Sequence, residues 1–183
     1  MNKIYGSKSD YAPVKREGTQ IIVSYGYESI DKNEGTWYEV SLPAANYPLL
    51  SFADVKAAIE GDINADPSAR ITQGFAYTVK HGAQAGTEVN VWLSKENQSD
   101  FHAMHQNADG LTFPVRYKIG ETADGMPVYE EFADADEMHT ICTLTSQHVL
   151  SCQQDGWDRK DAIDWEPYKA LFPEPEQSSD VEE

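Results

Sequence analysis

Three stretches of the chain alternate apolar and polar residues with the period of two that is typical of β-strands. Each stretch is divided by a short segment of residues that favour turns, such as residues 31–35 (DKNEG) in the first. We therefore predict three β-hairpins. The paired segments are 20–28 with 36–42, 75–80 with 87–93, and 111–119 with 127–132.

The first hairpin carries a strip of apolar and aromatic side chains. Because side chains alternate between the two faces of a strand, we expect Ile21, Val23, Tyr25 and Tyr27 to share one face. Such a strip needs a cover, which a neighbouring helix could supply.

Between the hairpins, apolar residues recur with the spacing of an α-helix. Ser51 and Asp54 form a start that resembles a capping box, and Val55 and Ile59 begin a helical stripe. Pro67 interrupts this stripe. Either the helix is kinked at Pro67 or a second short helix begins there, and both alternatives are open.

Two further helices follow the second and third hairpins. The first extends from the cap residue Ser94 to about Asn107. The longer one starts at Asp134 or Asp136, and we expect Gly156 to end it.

The order of these elements predicts the fold class. From residue 51 onward the order is helix, hairpin, helix, hairpin, helix, and the tight turns within the hairpins disfavour a parallel sheet. We predict an α+β fold: an N-terminal β-hairpin followed by an antiparallel four-stranded sheet built of two hairpins, with about three helices packed on one face.

Composition divides the same chain into four segments. Residues 1–19 include four basic and two acidic residues, whereas the last eleven residues include five acids, two prolines and no base. The predicted segments are a flexible basic leader (1–19), a β-hairpin extension (20–48), the α+β domain (49–172) and an acidic disordered tail (173–183).

The net charge excludes some partners. Fourteen basic residues against 31 acidic ones leave a formal charge of −17, whereas proteins that coat nucleic acid or anionic lipid use clusters of cations. The first thirty residues have no apolar run of signal-peptide length, and no segment approaches a membrane span. Cys142 and Cys152 lie too far apart on one helix to pair. We expect the cytoplasm, and no nucleic acid or membrane partner.

Candidate catalytic and metal sites are weak. His102 and His105 share a helix face, as do His148 and Cys152, but no established zinc motif is present. We interpret His148 and Cys152 as interior residues, and acid pairs such as Glu130-Glu131 as a solvated face. Nucleophile elbows and phosphate loops are absent too. We therefore predict no catalytic residue, no metal, no cofactor and no enzymatic activity.

Aromatic and basic residues near the start of the chain are candidates for a partner interface. Three explanations of the aromatic residues are open: core packing, contact with another protein, and stacking on a sugar ring. The basic residues could order on an acidic partner, including a second copy of the chain. The candidate interface residues are Tyr25, Tyr27, Trp37, Tyr38, Lys3, Lys8, Lys15 and Arg16.

Three motifs carry a resemblance to a known family. They are ITQGFAY at residues 71–77, VWLSKENQSDF at 91–101 and GWDRKDAIDW at 156–165. Together they resemble a domain of unknown function that recurs in proteins of tailed bacteriophages and of gut Bacteroidales prophages, sometimes with tail-fibre assembly regions. The resemblance covers about residues 50–165 and implies no catalytic residue. We expect Trp157, Ile163 and Trp165 to fold the C-terminal turn over the sheet.

The resemblance implies a function through contact with other proteins. We expect a non-enzymatic virion protein of a bacteriophage or prophage, associated with the tail or fibre, that acts as a structural or assembly component in the host cytoplasm and then in the virion. Its partners would be other virion or assembly proteins, or further copies bound through the N-terminal arm. One alternative is a transient assembly chaperone or small inhibitor, and another is a metal-dependent hydrolase.

Overall fold

The computed structural model describes residues 1–46 and 50–172. The chain forms two compact units. The first, which we call the sheet unit, comprises the described residues of Met1–Asp66 together with residues 156–172; the second, the hairpin unit, comprises Pro67–Asp155. These boundaries differ from the segment boundaries drawn from composition. The predicted acidic tail lies outside the described residues.

The sheet unit contains a four-stranded antiparallel sheet with the strand order β1-β4-β3-β2. Its central pair, β3 and β4, is the first predicted hairpin, with nearly the predicted bounds. The strands are β1 (Asn2–Ser7), β2 (Val14–Glu17), β3 (Gln20–Ser29) and β4 (Glu34–Pro43).

Residues 1–19 differ from the expected flexible leader, because they contain both edge strands of this sheet. β1 pairs with β4, β2 pairs with β3, and a short 3-10 helix, Lys8–Asp10, lies between them. An edge strand is held mainly by backbone hydrogen bonds to one neighbour, which residues of many types can make. Polar edge strands therefore leave little trace in the hydrophobic pattern.

Helix α1 (Phe52–Gln73) covers one face of the sheet with its first part. The backbone N–H of Ser51 donates to Asp54 Oδ2 at 2.8 Å, which confirms the predicted capping pair. Val55, Ile59 and Ile63 are buried against the apolar residues of β3, and each such burial stabilises the fold by about 1.5–3 kcal/mol. The helix continues through Pro67, so no second helix begins there.

The hairpin unit contains the other two predicted hairpins. β5 (Phe75–Thr78) pairs with β6 (Glu88–Val91), and β7 (Val115–Glu121) pairs with β8 (Pro127–Phe132). Helix α2 (Lys95–Asn107) follows β6 and has Ser94 as its N-cap, as predicted. The long helix α3 (Ala135–Asp161) follows β8.

The α+β class is confirmed, but the four-stranded sheet is not built from these two hairpins. Their strands form two separate two-stranded sheets, whereas the four-stranded sheet belongs to the N-terminal residues. A register irregularity between Lys118 and Gly120 interrupts β7. At Gly120 an added Cβ would lie 2.8 Å from the Asn90 carbonyl oxygen, so β6 and β7 are close without a regular ladder.

Helix α3 ends later than the sequence predicted. Gly156 lies within it rather than at its end, because one glycine in a helix costs only about 1 kcal/mol. The continuation leaves Trp157 50% exposed, so the prediction that Trp157 covers the sheet is wrong. Ile163 and Trp165 do pack against the core of the sheet unit, beside the short helix α4 (Glu166–Leu171).

Both cysteines are free and buried. Burial raises the pKa of the Cys142 thiol to about 11. Within the described residues, no helix combines the length and the apolar character that crossing a membrane requires.

Candidate functional site

The predicted aromatic interface is largely part of the interior of the sheet unit. Tyr25 is 1% exposed and Trp37 is 2% exposed. Tyr25 donates its hydroxyl hydrogen to Asp62 Oδ2 at 2.6 Å and stacks on Tyr38, with ring centroids 5.6 Å apart. Burial, followed by the hydrogen bond to Asp62, raises the pKa of Tyr25. Of the three explanations left open, core packing therefore holds for Tyr25 and Trp37.

A β-bulge separates Tyr27 from the strip to which alternation assigned it. The register between β3 and β4 shifts between Tyr25 and Glu28, where Gly26 has a φ of +63°. As a result Tyr27 stacks on Trp37, which lies on the opposite face of the sheet from Tyr25. Tyr11 completes this aromatic cluster, with its ring centroid 4.9 Å from that of Tyr27.

The candidate basic residues lie on or beside the two edge strands, where two of them have acidic partners in the same unit. Lys15 Nζ lies 3.1 Å from Glu39 Oε1, and Lys3 Nζ lies 3.8 Å from Glu28 Oε2. Lys8 and Arg16 are exposed. Two of the four candidate basic residues are thus paired with acids of the sheet unit.

Among the residues that the structure describes, the histidines do not form a site with three or more ligands. His148 is half-buried, and its Nε2 lies 3.1 Å from the Arg70 carbonyl oxygen and 3.8 Å from Cys152 Sγ. His105 lies instead beside His139, a residue that the sequence pattern did not single out. In the described part of the chain, no group of three or more His, Cys, Asp or Glu residues could hold a metal ion.

The sequence predicted that Glu130 lies on a solvated face. This prediction is wrong, because Glu130 is completely buried in the hairpin unit. Its Oε2 accepts hydrogen bonds from Tyr77 Oη at 3.0 Å and from the Lys80 backbone N–H at 2.7 Å. Its Oε1 accepts from the backbone N–H groups of His81 at 2.9 Å and Glu131 at 3.1 Å. With four donors the buried carboxylate is satisfied, and it joins β8 to the loop after β5.

The hairpin unit has a groove of about 540 Å³ at the adjoining strands β6 and β7 and the start of α2. Trp92 lines this groove and is 53% exposed, although its neighbours Val91 and Leu93 are buried in the core. We call this feature the Trp92 groove. Its polar and aromatic lining includes Asn90, Trp92, Asn97, Tyr117, Lys118 and Glu121.

The amide groups of the Trp92 groove leave oxygen atoms for a partner. Asn97 Nδ2 donates to the Trp92 carbonyl oxygen at 2.8 Å, and Asn90 Nδ2 donates to the Gln73 carbonyl oxygen. Because these bonds use the amide nitrogens, the side-chain oxygens of both asparagines remain as acceptors. Tyr117 also lines the groove, and its hydroxyl lies 3.5 Å from Asp100 Oδ2.

Acidic side chains lie at and beside the groove. Burial first, and then the charges of Asp100 and Glu96, raise the pKa of Tyr117. Lys118 Nζ lies 2.6 Å from Glu121 Oε1, so this lysine is already paired with an acid. The arrangement combines an exposed indole, oxygen acceptors and negative charge, and such a surface suits a ligand with cationic or hydrogen-bond-donating groups.

Sequence reasoning did not select Trp92 as a site residue, although the pattern contained a signal for it. Alternation along residues 87–93 directs Val91 and Leu93 inward and Trp92 outward. Its exposure depends on what covers the outer face of β6, which no local pattern encodes.

One family model matches the chain, over residues 54–180, and its description is Domain of unknown function (DUF4376). No curated protein and no solved structure matched the chain. The matched region includes every residue of the Trp92 groove. Since the match covers more than half of the chain, the protein belongs to this family, the domain of unknown function DUF4376.

Proposed function

We propose that this protein is a non-enzymatic virion component of a bacteriophage or prophage, associated with the tail or fibre, that acts through protein–protein contacts in structure or assembly. The resemblance of its three motifs to a domain of phage and prophage proteins supports the origin. The observation that carries the contact function is the Trp92 groove, because a half-exposed tryptophan in a groove is a frequent anchor of protein interfaces.

The chemistry of the groove supports a basic partner segment. The free oxygens of Asn90 and Asn97 can accept hydrogen bonds from arginine or from backbone N–H groups, and the Trp92 ring can hold a cation over its face. The total charge of −17 would steer such a segment toward the protein. A glycan that stacks on Trp92 is the competing occupant.

The decisive experiment measures the amount of this protein in purified particles. Particles are produced in a host in which the wild-type gene is replaced by Trp92→Ala or by Trp157→Ala. The second variant is a matched control, since Trp157 is 50% exposed but does not line the groove. We expect Trp92→Ala to reduce incorporation at least tenfold and Trp157→Ala to leave it within twofold.

Other outcomes would select the alternatives. Absence of the wild-type protein from particles, together with its presence on assembly intermediates, would replace the structural role by that of a transient chaperone or inhibitor. Equal incorporation of both variants would exclude the Trp92 groove as the contact site. Circular dichroism of each purified variant establishes that it is folded.

A further inference from the structure

A pair of histidines in the hairpin unit lies outside the Trp92 groove. His105 belongs to α2 and His139 to α3, and their Nδ1 atoms are 3.0 Å apart. The rings are nearly perpendicular, with centroids separated by 4.6 Å. On the other side of His139, Nε2 lies 3.3 Å from Oδ1 of Asp109, in the short turn after α2.

For two neutral rings, one arrangement of hydrogens satisfies both contacts. A carboxylate can only accept, so Asp109 requires a hydrogen on Nε2 of His139. The neutral His139 ring then has a lone pair on Nδ1, and His105 donates its Nδ1 hydrogen to it. Asp109 therefore holds His139 in the tautomer whose Nδ1 is available as a ligand.

We propose that the Nδ1 atoms of His105 and His139 bind a divalent late transition-metal ion, of the class of Ni²⁺, Cu²⁺ and Zn²⁺. Imidazole nitrogen suits these ions. The structure supplies two ligands from different helices and an outer carboxylate, Asp109, that orients one of them. Water completes the coordination, since the part of the chain described here offers no group of three ligands.

The distance between the two nitrogens is compatible with one ion. With metal–nitrogen bonds of about 2.05 Å, the observed separation of 3.0 Å corresponds to an angle of about 94° at the metal. This angle is close to that between adjacent ligands of a tetragonal or octahedral ion. The two rings have to turn from each other toward a common point.

Metal binding requires no net gain or loss of protons by the histidine pair. The hydrogen on Nδ1 of His105 moves to its Nε2 through solvent, so the neutral pair stays neutral while both Nδ1 lone pairs face the metal. The bound ion would connect the end of α2 to the start of α3 within the hairpin unit.

The test titrates the full chain, freed of any affinity tag, with NiCl2, CuCl2 and ZnCl2 at pH 7.5 in an isothermal titration calorimeter. We expect one ion per chain for at least one of these metals. His105→Gln and His139→Gln should each lower the affinity at least tenfold, and Asp109→Asn should lower it about tenfold, as loss of outer ligand partners does.

His102→Gln is the matched control. His102 is an exposed histidine on the same helix, and it contacts Gln106 rather than the pair. We expect its substitution to change the affinity by less than twofold. In NMR spectra, substoichiometric Ni²⁺ should broaden the ring signals of His105 and His139 before those of His102 and His148.

Two results would overturn the proposal. One is the absence of saturable binding of all three metals, which would leave the contact as a hydrogen-bonded pair only. The other is an equal loss of affinity in His102→Gln and in the two pair variants. Circular dichroism separates loss of ligation from loss of fold, and neither result bears on incorporation into particles.

Discussion

The two units of this protein stabilise their interiors by different means. The sheet unit buries large aromatic side chains, chiefly Tyr25 and Trp37, on opposite faces of one sheet. The hairpin unit has two short hairpins and uses a buried carboxylate, Glu130, to connect β8 to the loop after β5. Apolar burial tolerates imperfect geometry, whereas a buried charge stabilises only while its donors are in place. We therefore expect the sheet unit to respond to changes of volume and the hairpin unit to changes of hydrogen bonding.

The largest effect is expected from the aromatic cluster. Trp37→Ala removes a ring that contacts Tyr11 and Tyr27 and lies directly against Gly6. The free energy of unfolding should fall by about 3–5 kcal/mol, as in other aromatic truncations in protein cores. Urea denaturation followed by circular dichroism measures it. The control is Trp157→Ala, at an exposed tryptophan, which should change the free energy of unfolding by less than about 0.5 kcal/mol. An equal loss of stability in the two variants would contradict the assignment of Trp37 to the interior.

The next effect tests the hairpin unit. Glu130→Gln preserves the size of the side chain but replaces one acceptor oxygen by an amide that faces backbone N–H groups. We expect a loss of about 3 kcal/mol, because buried donors are left without an acceptor. Denaturation with urea measures this loss as well, and Glu131→Gln serves as the neighbouring control. A loss below about 1 kcal/mol would show that the loop does not depend on this carboxylate.

A smaller effect is expected from acid. The backbone N–H of Ala133 first, and then His81, lower the pKa of Glu137 below its ordinary value of 4.5, against the opposing effect of burial. Because the folded-state pKa is the lower one, this stabilisation is present above pH 4.5 and is lost as the pH falls through the folded-state value.

The measurement compares thermal stability between pH 7 and pH 3 in the wild type and in Glu137→Gln. The variant should lose less stability on acidification, by under about 1 kcal/mol, since the group is close to solvent. Parallel curves for the two proteins would remove Glu137 from the acid response.

The smallest expected effect concerns the chemical reactivity of the two cysteine thiols. With the pKa of Cys142 raised to about 11 by burial, and with Cys152 buried too, neither thiol should react with Ellman's reagent at pH 8 in the native protein. Both should react in 6 M guanidinium chloride. Rapid reaction of a native thiol would show that the hairpin unit opens more readily than its packing indicates.

The sequence predicted most of the elements, and the exceptions have identifiable physical causes. Hairpin β3–β4 and the caps Ser51 and Ser94 are local features, so patterns of a few residues were enough to find them. The edge strands β1 and β2 were missed because their stability comes from hydrogen bonds to strands elsewhere in the chain. The end of α3 was misplaced because a helix passes through one glycine when its other residues favour it.

Fewer features of the candidate site than of the secondary structure could be predicted from the sequence. Tyr25 and Trp37 were proposed for an interface, since composition does not tell a buried aromatic residue from an exposed one. The exposure of Trp92, the four donors around Glu130 and the contact between His105 and His139 all depend on residues distant in the chain.

By itself, the sequence determined the α+β class, the hairpins, the main helices and the acidity of the protein, because each depends on local spacing or on a sum over residues. Tertiary structure alone decided which hairpin entered the four-stranded sheet, which tryptophan remained exposed and which acid became buried. These outcomes are set by packing and hydrogen bonding between segments far apart in sequence. The bulge at Gly26 changes the face on which Tyr27 lies, and the absence of a side chain at Gly120 lets β6 approach β7.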